Sequence, residues 1–155
     1  MKILIATDGS DFSGAAIGEC LNIVEPASTV FRVVSAWETP PELAVTTYDL
    51  ALEYYKQAED AVRAQAQAAI DSAEKQIKDH FAGNAPSITT ALLSGPPDKV
   101  IIEEAKNWGA DLIVVGSHGR GFWGRLLGSV STGVLHHAPC SVLVGRRRAE
   151  DQEIK

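Results

Sequence analysis

The residues best placed to do chemistry lie in segment 116–131, GSHGRGFWGRLLGSVS. Glycines at 116, 119, 121, 124 and 128 leave a stretch of backbone with little side-chain cover, so peptide N–H groups can converge on an anion with no Cβ in the way. Ser129 and Ser131 bring hydroxyls to the start of the helix that follows, where unpaired N–H groups and the helix dipole favour negative charge. Arg120 and Arg125 add two positive charges to the same loop. This composition suits an anion cradle and also a plain flexible connection, since glycine-rich turns after strands are common. Near the N-terminus, Asp8 follows an apolar run and precedes Gly9, a position that suits a ligand contact or an ordinary turn or cap.

Other reactive side chains offer less. His118 lies inside the glycine loop, where a phosphate or ribose contact is the favoured role; a catalytic base would need an orienting carboxylate that no neighbour in sequence supplies. His136 and His137 are adjacent, so on a helix they diverge by about 100°, and no further ligand cluster stands near them. Cys20 and Cys140 show no CxxC spacing and read as reduced, buried packing residues. Trp123 could cover a ligand or a partner.

These groups need a scaffold. A chain of 155 residues, 45% hydrophobic and 22% charged, is long enough for one sizeable core but not two. Residues 2–7 (KILIAT) form a buried strand that runs into the turn Asp8-Gly9-Ser10. Ser13 is expected to cap a helix over 14–24 that Pro26 stops, and 29–36 makes a second buried strand. The stretch 37–49 carries two consecutive prolines and no sustained period, so it reads as a long connection.

Residues 50–81 give the longest helical signal, with Leu52, Tyr55, Ala58, Val62, Ala66, Ala69, Ile70, Ala73, Ile77 and Phe81 at three-to-four spacing. Gly83 and Asn84 close it. A third strand follows over 87–93, then a turn at 95–98 that caps a helix over 99–108. Residues 111–115 (DLIVV) form the most apolar strand; a short helix through His137 and a last strand over 141–144 complete the pattern. The remainder from Gly145, GRRRAEDQEIK, is a charged tail, expected to be disordered from 147 to 155.

Strands alternating with helices, each strand apolar on both faces, describe an α/β fold: a doubly wound five-stranded parallel sheet with helices on both faces. Ligands in such sheets bind beyond the carboxyl ends of the strands, where strand order reverses. The loops after the first and fourth strands, 8–13 and 116–129, therefore matter most. The first lacks GxGxxG, which argues against a standard dinucleotide fold, and no GxxxxGK[ST] is present, so the chain is not a P-loop NTPase. A receiver domain would want an aspartate ending strand three and a lysine ending strand five, where this chain has Leu93-Ser94-Gly95 and Gly145-Arg146.

Charge and apolar runs narrow the partners. Fourteen basic against twenty acidic residues leave a net charge of −6, so a nonspecific hold on nucleic acid or an anionic membrane has no electrostatic support. Nowhere do about 18 apolar residues run together, and the N-terminal run is too short for a signal-peptide core, so a cytoplasmic location is expected.

The segment VVGSHGRGFWGRLLGSVSTGVLHHAPCSVLVGR, with the opening KILIATDGSDFS, resembles the universal stress protein family, and the order of elements agrees along essentially the whole of residues 1–146. The resemblance implies a Rossmann-like, adenine-nucleotide α-hydrolase-like domain that binds ATP, carried with Mg or Mn. It implies that Ala6, Thr7 and Asp8 face the adenine and ribose and that Ala36, ending strand two, lines the base pocket. Val115, Gly116, His118, Gly119 and Arg120 would lie along the ribose and phosphates, with Gly128, Ser129, Val130 and Ser131 taking the remaining phosphates. ATP-binding members carry Gly-x2-Gly-x9-Gly-Ser/Thr; here eight residues separate Gly119 from Gly128, one fewer. Strand five, as a sheet edge, is implied to form a homodimer seam through Ser141–Gly145. The functional expectation is a nucleotide-dependent stress-response or regulatory homodimer. Its rivals are a slow ATP hydrolase or adenylate-transferring enzyme and a nucleotide-free interaction module.

Overall fold

The computed structural model describes residues 1–38, 48–84, 86–119 and 127–146, with the side chains of 48–52 excepted. The elements are β1 (Lys2–Ala6), α1 (Asp11–Leu21), β2 (Val30–Trp37), α2 (Tyr48–His80), β3 (Ser87–Ser94), α3 (Pro97–Trp108), β4 (Leu112–Gly116), α4 (Ser129–His137) and β5 (Ser141–Gly145). All strand pairs are parallel, in the order β3-β2-β1-β4-β5. The expected five-stranded parallel sheet is therefore present. After β1 the chain winds outward to β2 and β3, then crosses to β4 and β5, so the reversal falls between β1 and β4.

The strand residues alternate between two cores. Ile3, Ile5, Phe31, Val33 and Val114 face α1 and α2 and pack on Ile17, Ile70 and Ile77. Leu4, Ala6, Val34, Ile113 and Val115 face the other way onto Ile101, Ala105 and Val134 of α3 and α4. This period of two, apolar in both phases, is what a central parallel strand covered on both faces requires. β3 departs from it: Ser87, Thr89, Thr90 and Ser94 are exposed, because β3 is an edge strand that the helices only partly cover. The expectation that every strand is apolar on both faces fails there.

Several boundaries shift for local reasons. Ser10, not Ser13, caps α1: its hydroxyl accepts from the Ser13 N–H at 3.2 Å, which starts the helix at Asp11. α1 ends at Leu21, and Pro26 opens a separate 3-10 turn, Pro26–Ser28. α3 starts at Pro97 with no side-chain cap, since a proline in the first turn has its φ already set and no N–H to satisfy. Asp98, expected to help cap it, sits in the first turn, and its Cβ and Oδ2 fill the place beside Gly133 where a Cβ would stand 2.8 Å away. Gly109, at φ 72°, ends α3.

On α2 the apolar stripe is buried from Ala66 onward, through Ala69, Ile70, Ala73 and Ile77; Tyr55, Ala58 and Val62 are only half-covered. Residues 39–47 of the expected long connection lie outside the described residues, as does the tail 147–155. Among the described residues no helix is long and apolar enough to cross a membrane.

Candidate functional site

A cavity of about 520 Å³ opens beyond the carboxyl end of the sheet, at the reversal between β1 and β4. Its size falls in the range of small-molecule sites, roughly 300–1,000 Å³. Ala6, Val34 and Ala36 at the ends of β1 and β2, with Pro97 and Ile101 of α3, supply an apolar lining. The β1–α1 loop adds Thr7, Asp8 and Ser13; β4 and its loop add Val115, Gly116, His118, Gly119 and Leu127; α4 opens with Gly128, Ser129, Val130 and Ser131. Sheet order places the apolar part on the β2 side and the glycines on the β4 side.

Twelve residues expected at the site thus border one cavity: Ala6, Thr7, Asp8, Ala36, Val115, Gly116, His118, Gly119, Gly128, Ser129, Val130 and Ser131. The thirteenth, Arg120, lies outside the described residues, as do Gly121, Trp123, Gly124 and Arg125. Sequence reasoning missed five lining residues. Val34 and Ile101 are apolar positions that look like core until the cavity is seen, Pro97 opens α3, and Leu127 precedes α4. Ser13 reads in sequence as a cap; its position five residues after Asp8 and close to the strand end is the signal that it borders the cavity.

The β1–α1 loop is closed by side chains. The Thr7 N–H donates to the Val34 carbonyl at 3.0 Å, extending the sheet one residue past β1. Asp8 Oδ1 accepts from the Ser10 N–H at 3.0 Å, and Gly9 takes φ 74°, the left-handed region that glycine enters freely. The first turn of α1 then lies against β4 so closely that a Cβ on Gly116 would stand 2.8 Å from the Phe12 carbonyl carbon and the Ser13 nitrogen. Glycine at 116 is thus a packing requirement as well as an open wall.

The β4–α4 loop is closed through one carbonyl. The Ser117 oxygen accepts from the Gly128 N–H at 2.9 Å and from the Ser131 hydroxyl at 3.0 Å, which brings the end of the loop back to its beginning. Ser117 itself donates its N–H to the Gly145 carbonyl at 2.8 Å. Ser117 and Gly128, at the two ends of the loop, are therefore both tied to the sheet. α4 begins at Ser129 with no side-chain cap hydrogen bond, so no capping side chain competes for the N–H groups of its first turn. Ser131 is 2% exposed and its hydroxyl also reaches the Gly128 carbonyl at 3.0 Å, so its proton serves the loop.

Across the cavity the two loops approach each other. A Cβ on Gly119 would stand 3.1 Å from Asp8 Oδ2. His118 is buried, with its Nδ1 3.1 Å from the Ser117 hydroxyl and its ring centroid 5.1 Å from that of Phe12. Asp8 and His118 are the titratable side chains among the described lining residues.

The remaining candidates stand apart from this cavity. His137 Nδ1 lies 3.0 Å from the Gly133 carbonyl, and no group of three or more His, Cys, Asp or Glu able to hold a metal occurs among the described residues. Cys20 and Cys140 are free. Burial pushes the Cys20 thiol up to about 11, and burial with the neighbouring Asp111 charge raises that of Cys140, which makes both poor nucleophiles. Cys20 is buried as expected, whereas Cys140 is only half-buried.

The model of the universal stress protein family matches residues 1–146. A universal stress protein of Thermus aquaticus is 34% identical over 146 residues, covering 93% of this chain and 97% of that protein. A universal stress protein A homolog of Coxiella burnetii is 60% identical over 52 residues, 34% of this chain and 36% of that protein. Among solved structures, the universal stress protein UspA from Lactobacillus plantarum matches with a TM-score of 0.75 at 27% identity, over 94% of this chain and 97% of that one. A universal stress protein in complex with cAMP matches with a TM-score of 0.62 at 25% identity, over 93% and 95%. A family member from Arabidopsis thaliana with AMP bound, at 16% identity, shares the fold with a TM-score of 0.66 over 100% and 97%.

Proposed function

The chain belongs to the universal stress protein family, and from that premise we propose that it binds ATP in the cavity between the β1–α1 and β4–α4 loops and acts as a nucleotide-dependent regulatory homodimer in the cytoplasm. The observation that carries this reading is the meeting of two unlike surfaces in one cavity. Ala6, Val34, Ala36 and Ile101 give an apolar slot fit for a purine, and the glycine backbone with the uncapped start of α4 gives an anion cradle. Solved relatives with AMP or cAMP bound support an adenine nucleotide as the class of ligand.

The residues fit that ligand. Asp8 stands between slot and cradle, where a sugar would lie, and Gly119 leaves the space that any side chain would take from it. His118 reaches the cavity from the same loop and is assigned to ribose or phosphate. Arg120, the next residue in sequence, is assigned to the phosphates on its charge. A divalent ion, Mg or Mn, would arrive with the triphosphate, consistent with its preference for phosphate oxygens and water.

Dimerisation is assigned to Ser141–Gly145 of β5. This strand is a sheet edge whose Val142, Leu143 and Val144 are half-buried, so a second copy would cover both apolar surface and unpaired backbone. A hydrolase or adenylate-transferring activity would need acid and base groups beyond Asp8 and His118, so the binding reading takes precedence.

Native mass spectrometry of the purified full chain tests this. The expected result is a dimer carrying one adenine nucleotide per subunit, retained from expression or taken up from added ATP. A nucleotide-free dimer at saturating ATP would move the chain to the interaction-module reading, and steady release of ADP or AMP from labelled ATP would move it to the enzyme reading.

A further inference from the structure

We propose that the hydroxyls of Thr7 and Ser13 form a positioning clasp that sets the Asp8 carboxylate in the cavity and so makes the site prefer ribonucleotides to 2′-deoxyribonucleotides; this rests on the adenine-nucleotide reading above. The hydrogen bonds run in one direction. The Gly9 N–H donates to Thr7 Oγ1 at 3.1 Å, the Thr7 hydroxyl donates to Ser13 Oγ at 3.0 Å, and the Ser13 hydroxyl donates to the Ser10 carbonyl at 2.9 Å. The run leaves the loop at Gly9 and re-enters it at Ser10, so it closes around the turn that presents Asp8. Thr7 and Ser13 are 6% and 3% exposed, which leaves water little room to substitute for either hydroxyl.

Both hydroxyl protons are committed inside the protein, so the pair acts on a ligand through Asp8. With Oδ1 held by the Ser10 N–H, Oδ2 is directed to the Gly119 side, 3.1 Å from where a Cβ there would stand. An ionised carboxylate can only accept hydrogen bonds. The phosphates of a nucleotide offer it no donor and would repel it, whereas ribose hydroxyls are donors. A base in the apolar slot and phosphates at the start of α4 would leave the sugar beside Asp8, and a site built to accept from a hydroxyl rejects the analogue that lacks it. The clasp keeps that carboxylate from turning away.

Titration calorimetry of the full chain with ATP and with 2′-deoxyATP tests the proposal, using Thr7→Val and Thr7→Ser. Valine is close to threonine in shape but lacks the hydroxyl; serine keeps the hydroxyl and lacks the methyl. The wild type should bind ATP about tenfold more tightly than 2′-deoxyATP, as expected for one hydrogen bond to a charged group. Thr7→Val should bring that ratio close to one, while Thr7→Ser should keep it. Ser13→Ala breaks the same run at its next link and should match Thr7→Val, which guards against a valine variant that fails to fold. A wild-type ratio retained in both Thr7→Val and Ser13→Ala, or lost equally in Thr7→Ser, overturns the clasp. A wild type that binds both nucleotides equally overturns it too but leaves the nucleotide site standing; one that binds neither removes both.

Discussion

The two loops that face each other across the cavity are held by different means. The β1–α1 loop is four residues, Thr7 to Ser10, closed by side-chain hydroxyls and a carboxylate, with Thr7, Asp8, Ser10 and Ser13 of α1 all engaged. The β4–α4 loop is longer, and among the described residues it is tied by the Gly128 N–H and the Ser131 hydroxyl on the Ser117 carbonyl. The proposed nucleotide would meet a turn fixed by side chains at its sugar and the uncapped start of α4 at its phosphates.

α1 is the wall shared by both loops, and changes there should do the most damage. A Cβ on Gly145 would stand 2.2 Å from Ala16 Cα and 2.4 Å from its Cβ, so Gly145→Ala must push α1 off β5. It should cost about 3 kcal/mol in a denaturation experiment. Gly116→Ala places its Cβ 2.8 Å from the first turn of α1, at the junction of the two loops. It should cost about 2 kcal/mol and also weaken nucleotide binding, because it displaces Ser13 and with it the turn that holds Asp8.

Smaller changes act on one loop at a time. Ser131→Ala removes one of the two ties on the Ser117 carbonyl and leaves the Gly128 N–H in place. It should cost about 1 kcal/mol, with faster hydrogen exchange at Gly128 and no change at Gly9 or Ser10. Equal loss of protection in both loops would show that they are not built independently. Among the described residues the new Cβ of Gly119→Ala meets the Asp8 side chain alone, at 3.1 Å, so stability should stay within about 0.5 kcal/mol of wild type. Nucleotide affinity should nonetheless fall, since the new methyl stands between the loops; undiminished affinity would place the ligand elsewhere.

What the sequence disclosed follows the same division. The apolar runs of β1 and β4 and the long stripe on α2 mark the scaffold, because burial on both faces leaves few polar residues in a strand and burial on one face leaves a helical period. β3 was less legible: its serines and threonines signal an edge, and edge or centre is decided by strand order. The glycine loop announced itself because a missing Cβ is a property of single residues. The clasp did not, since Thr7 and Ser13 become partners only when α1 turns back onto the end of β1. Nor could sequence tell that Val34 and Ile101 line the cavity, since apolar residues facing a core and facing a cavity look alike.

Backbone amide chemical shifts of the isotope-labelled chain, recorded as ATP is added, report directly where the nucleotide sits. Binding between the two loops predicts that the largest shifts fall at Thr7 to Ser10, at Gly116 to Gly119 and at Gly128 to Ser131, with little change along the groove of Lys99, Lys106 and His137 between α3 and α4. Shifts concentrated in that groove, or none at saturating ATP, would contradict it.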